Sequence, residues 1–247
     1  MDGASNIPYD YEIATFYKNQ HDLFNYDAIG RSIFDYMRLQ AVVSNWTSPN
    51  NFHVNFLIFK SKQEDLTKAI NGFYKEIEHL PNSIILNVAL GMPVAVLENN
   101  LWHRGLVVSK LDGTRLRILF VDVGSHFVVE LNKVRPLYCQ FNELPPLAFK
   151  CYLQGFGLFE LNEYVMNTFD KVMKVGKVFD CEVTNWEDSS FLPVNMYEKN
   201  NVRDVIDVHF SSYFKKQQMS LERRQRNLER RKMQQDSDDE IDSDDSM

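Results

Sequence analysis

Cysteine is scarce in this 247-residue chain: Cys139, Cys151 and Cys181 are the only three. An odd number without close pairing gives neither a disulfide framework nor a zinc-ligand spacing, so they read as reduced, packed thiols. Long apolar runs are missing too. None approaches the roughly 18 residues of a membrane helix, and the opening MDGASNIPYDYE has neither the basic nor the apolar region of a secretory signal. These absences predict an intracellular chain without a membrane span. Histidines and cysteines show no convergent spacing for a metal or a catalytic triad, so no cofactor and no nucleophilic enzyme is implied. The last twelve residues, DSDDEIDSDDSM, lack positive charge entirely and hold seven acids. Like charges repel and almost nothing there is apolar, which predicts disorder over 236–247.

Positive charge is concentrated just upstream. Residues 215–235 carry eight bases and two acids, while residues 1–214 sum to -6 of the total -7. A mildly acidic body argues against a broad nucleic-acid surface, which needs a cationic face. Hydrophobic residues make up 44% and aromatics 13%, enough for a substantial core.

Residues 38–59, RLQAVVSNWTSPNNFHVNFLIF, contain two β-rich runs, AVVSNW and FHVNFLIF, around a turn-like Thr47-Ser48-Pro49-Asn50-Asn51. Leu66, Ala69, Ile70, Phe73, Tyr74, Ile77 and Leu80 then follow a helical period. This predicts a helix over 62–80, roughly 28 Å long, with a capping box at Ser61 and Glu64 and a stop at Pro81. Five short β-like runs come next: PVAVLE, WHRGLVVSK, RLRILFVD, HFVVEL and VRPL, separated by turn residues. Such runs build a small, bent antiparallel barrel. LPPLAFKCYLQGF reads as a turn entering a strand, LNEYVMNTFDKVMK as a helix, and KVFDCEVTNW and VRDVIDVHF as further strands.

Trp-x-Arg at 102–104, Phe-x-Asp-x-Gly at 120–124, then Val-Arg-Pro-Leu and Leu-Pro-Pro-Leu-Ala follow one another in an order that resembles a Tudor domain. With AVVSNWTSPNNFHVNF before the helix and Cys-Tyr-Leu after the barrel, residues 38–212 resemble an extended Tudor domain. The resemblance implies a mainly β fold with helices: a Tudor barrel, core 91–137, inserted in a staphylococcal-nuclease-like OB fold formed by 38–60 and 145–212 and joined by the long helix. Residues 1–37 would be a helical extension and 213–235 a basic helical segment. Arg104 pairing with Asp122 across the hairpin, Gly124 at positive φ, and Trp46, Trp102 and Trp186 as core anchors are the structural expectations.

In this family an aromatic cage binds peptides carrying methylated arginine, often from PIWI-protein tails, by cation–π attraction. The cage positions here hold Leu97, His103, Phe120, Val123 and Ser125, with His126 and Phe127 just beyond. Phe120 is the one clear ring, and His103 a second if neutral. Losing two or three contacts of about 0.5 to 2 kcal/mol each can weaken such binding by more than about a hundredfold. The resemblance therefore implies a non-enzymatic adaptor of small-RNA silencing in germ cells. Its partner would be a PIWI-family protein or another silencing factor, docked without strict need for methylation. True dimethylarginine reading, and RNA binding through the basic segment, remain open beside it. No calcium-type carboxylate cluster marks a nuclease. The implied location is cytoplasmic, in germ granules or perinuclear nuage, with nuclear entry through the clusters at 223–232 as an alternative. Ser237 and Ser243, set among acids, are candidate phosphorylation sites.

Overall fold

A computed structural model describes residues 38–77, 87–157, 161–185 and 191–244. The expected extension over 1–37, the helix end at Pro81 and Trp186 lie outside these residues. Strands β1 (Leu39–Ser48) and β2 (Asn51–Phe56) form an antiparallel hairpin around Pro49 and Asn50. Alternation puts Ala41 and Val43 of β1, and Phe52, Val54 and Phe56 of β2, into the interior. The run continues not as strand but as a 3-10 turn, Leu57–Phe59, leading straight into helix α1 (Lys60–Ile77). Ser61 therefore lies inside the helix and is not its cap. Helix α1 buries Ile70, Tyr74 and Ile77, as its period predicts.

The five expected runs form one antiparallel sheet: β3 (Pro93–Glu98), β4 (Leu101–Lys110), β5 (Arg115–Phe120), β6 (Ser125–Glu130) and β7 (Val134–Pro136), in the order β6-β5-β4-β3-β7. Strands β8 (Phe149–Leu153), β9 (Val178–Val183) and β10 (Leu192–Tyr197) close a barrel with the first hairpin, in the order β1-β2-β8-β10-β9, whereas the expected small barrel of β3 to β7 is an open sheet. Among the described strands its parallel pair is β8 with β10. Helix α2 (Glu163–Val172), capped by the Asn162 side chain, plugs this barrel with Val165 and Phe169.

Two sequence readings need correction. VRDVIDVHF, expected as a strand, forms helix α3 (Val205–His209), because the Asp204 side chain caps it by accepting from the Asp207 N–H at 2.7 Å. Strand β10 went unread because LPVNMY contains a proline and is buried almost throughout rather than alternating. The Pro193 carbonyl still accepts from the Thr184 N–H. The last helix, α4 (Ser211–Asp244), contains the segment 213–235 that the sequence reads as a basic helix. Its first turn belongs to the barrel: Tyr213 is buried and Phe214 packs edge-on against Phe156. From Gln218 to Arg230 the described side chains are exposed. Within this stretch, Arg226 Nε donates to the Glu222 carbonyl oxygen at 3.3 Å.

Sheet and barrel are locked together through one buried charge, Arg104, which is 2% exposed. Its Nε and Nη2 donate to Asp122 Oδ2 and Oδ1 at 2.9 and 2.6 Å. The remaining N–H groups donate to the carbonyls of Phe141, Leu144 and Pro145. The predicted cross-hairpin pair is therefore present, and all five guanidinium donors are used. Asp122 Oδ1 also accepts from the Leu147 N–H. Removing one partner of a buried ion pair leaves the other unpaired, at about 3–5 kcal/mol. Arg104→Met is accordingly expected to lose about that much stability in urea unfolding, with Asp122→Asn losing less because it keeps hydrogen-bonding capacity.

Candidate functional site

The residues from Asp122 to Gly124 turn the chain from β5 to β6 and press onto the barrel. Gly124 has φ +81°, and a Cβ placed there would lie 2.2 Å from His53 Cγ, so glycine is required by backbone angle and by space alike. Asn45 donates to the Gly124 carbonyl at 2.9 Å, and Asn55 to the carbonyls of Asp122 and Leu147 at 3.0 and 2.8 Å. Sequence reasoning passed over these asparagines and His53. Their signal is a polar residue inside an otherwise apolar strand run, where a buried amide needs a partner.

The structure brings together only part of the predicted cage. Register pairs Ile118 with Phe127 and Phe120 with Ser125, which puts these side chains on one face of the sheet. There the His103 ring stacks on Phe120 with centroids 5.0 Å apart at 23°, and Phe127 meets Phe120 at 4.5 Å and 37°. Phe120 is thereby 3% exposed and belongs to the sheet's core, while Phe127 is 37% exposed. Val123 packs against the same core. Leu97 is not part of the group: it packs with Trp102 and helix α1 on the other side. His126 pairs with Leu119 and also faces away from the stack. Trp102 stacks on Tyr74 at 4.9 Å and Trp46 meets Phe169 edge-on at 5.5 Å, both as core anchors.

A cation–π contact needs an open ring face within about 6 Å of the cation. Phe120 offers none, since two rings already cover it. Burial holds the His103 pKa below its ordinary value against the opposing pull of Asp122 and Glu98, so this ring is neutral at pH 7. Among the described residues no group of three histidines, cysteines or acids could hold a metal ion. No described helix is long and apolar enough to cross a membrane. Burial pushes the thiols of Cys151 and Cys181 up, which makes them unreactive packing groups.

Residues 36–155 match the family model of the Tudor domain. A zebrafish relative, Tudor domain-containing 6, is 30% identical over 159 residues, which is 64% of this chain and 7% of that protein. The chain thus corresponds to a small part of that relative's length. Among solved structures, the human TDRD1 extended Tudor domain, in complex with a symmetrically dimethylated peptide, superposes with a TM-score of 0.60 at 21% identity, covering 69% of this chain and 85% of that one. The extended Tudor domain TD3 of mouse TDRD1, in complex with a MILI peptide containing dimethylarginine, gives 0.60 at 20% identity, with 69% and 88% covered. At these identities the likeness establishes the shared fold.

Two measurements test the site's construction. Phe120→Ala should cost about 3–5 kcal/mol of stability as a core truncation, read by urea unfolding; an unchanged midpoint would make Phe120 an exposed wall. His53 has its pKa lowered to about 4 by burial, with Lys150 and His126 pushing the same way. Its ordinary value is 6.5, so the unfolded chain takes up the proton first as pH falls. Stability is full above pH 6.5 and is lost on the way down to 4, by up to about 3 kcal/mol. Unfolding at pH 7.5 and pH 4.5 reads this, and His53→Gln should flatten the profile.

Proposed function

The chain carries a Tudor domain over residues 36–155, set in the extended Tudor fold, and from this premise we propose that it is a non-enzymatic docking module of a small-RNA silencing assembly. It takes a peptide or partner protein in the cleft between sheet and barrel, beside His103 and Phe127, without strict need for arginine methylation. The supporting observation is the closed stack of His103, Phe120 and Phe127, with Leu97, Val123 and Ser125 supplying no further ring at the remaining cage positions. A methylated guanidinium gains from ring faces that it can reach, and here the central face is occupied. The neighbouring fold from mouse TDRD1 holds a MILI peptide. This supports a PIWI-type tail, or another silencing factor, as the partner class; we place the module in a cytoplasmic germ-granule setting.

Calorimetric titration of the whole chain with an Arg-Gly-rich PIWI-tail peptide, unmethylated and symmetrically dimethylated, checks this. The two forms are expected to bind within about threefold of each other. A preference of about tenfold or more for the methylated form, worth about 1.4 kcal/mol, would make the chain a methylarginine reader. Failure of both to bind would remove the PIWI-tail reading.

A further inference from the structure

Strands β5 and β6 present a second face, opposite the ring stack. Cross-strand register sets Arg117 beside Val128 and Leu119 beside His126, and directly paired side chains leave a sheet on the same side. Arg117, His126 and Val128 are all exposed there, Val128 by 56%. The barrel continues this face with cations. Lys150 on β8 stands opposite His53 on β2, and the His53 ring lies against Gly124, two residues before His126. Burial, then Arg117 and Lys150, hold the His126 pKa below its ordinary value, and burial, then Lys150 and His126, do the same for His53. The charged groups that lower the two imidazoles are thus basic, and Glu130, on the same face beyond Val128, stands opposite Arg115. The nearby Asp122 does not offset them, because both its carboxylate oxygens are taken by Arg104 and the Leu147 N–H.

A local basic strip on a chain of net charge -7 stands out against the rest of the surface. Strand β6 is also an edge strand, paired only with β5 among the described strands. An edge strand offers backbone groups to an added extended segment, and the flanking side chains then set its specificity. We propose that this strip is a docking surface for an extended acidic peptide of a partner protein, laid along β6 with carboxylates at Arg117 and Lys150 and an apolar side chain on Val128. The strip lies on the opposite side of the sheet from the ring stack, so the assignment does not depend on Arg-Gly peptide binding. It adds a partner of opposite charge.

Fluorescence anisotropy of the whole chain with a labelled octapeptide Glu-Glu-Val-Val-Glu-Glu-Val-Val, which shows both residue types on each face of an extended strand, tests this directly. Binding is expected, weakening as salt rises. An Arg117→Glu/Lys150→Glu double variant should bind about tenfold or more weakly, with an unchanged thermal midpoint because both side chains are solvent-exposed. Val128→Asp should weaken it separately. Absence of binding by the unaltered chain, or equal binding by the double variant, would overturn the proposal. So would a single-stranded oligouridylate of matched charge that binds more tightly and loses that binding in the same variant, since the strip would then be a phosphate-backbone contact. The Arg-Gly titration of the double variant should match that of the unaltered chain. If the acidic peptide binds and the Arg-Gly peptide does not, the earlier reading alone fails.

Discussion

The geometry of the molecule hangs on burying Arg104 beside Asp122. A buried ion pair repays its desolvation only when every remaining donor and acceptor is satisfied, and here they are. The guanidinium spans from Asp122 to three carbonyls of the segment 141–145, and the Asp122 carboxylate reaches on to the Leu147 N–H. Leu147 in turn lies two residues before β8, so one side chain of the sheet fixes where the barrel begins again. The asparagine contacts from β1 and β2 to the same turn close the loop from the other side. The sheet and the barrel are therefore held as one body by polar groups at their seam, while their apolar cores stay separate.

That locked turn decides what each face of β5 and β6 can do. One face holds three rings so close that the central one is core. The other face stays open and collects cations from both modules. A fold that elsewhere carries dimethylated peptides here presents filled ring space on one side and positive charge on the other. Both features follow from single side chains: Phe127 covers Phe120, and Lys150 brings a cation to the seam.

Much of this was legible in the chain. Trp102-x-Arg104 and Phe120-x-Asp122-x-Gly124 located the sheet and its buried pair, because a charged residue within an apolar strand run must find an opposite partner. The α1 period was legible because seven apolar residues repeat on one stripe. Residues 202–210 misled because Ile206, Val208 and Phe210 alternate as in a strand, while Asp204, read as a cap, and the spacing of Val202, Val205 and Ile206 favour a helix. Leu192–Tyr197 was missed because a strand buried on both sides shows no alternation. The cage reading took Leu97 and Phe120 as neighbours, yet a strand sends successive side chains to opposite faces, and Leu97 went to the helix side.

Element order as far as β9, the two β modules, the Arg104–Asp122 pair and the poverty of the cage were all written in the chain, since they rest on residue type, period and short-range complementarity. Three features came from folding alone: Phe120 is sealed rather than open, Gly124 must fit against His53, and Arg117, His126 and Lys150 line one strip. Each of these joins residues across a seam or a strand pair, and the register and docking that bring them together arise only when both cores have packed.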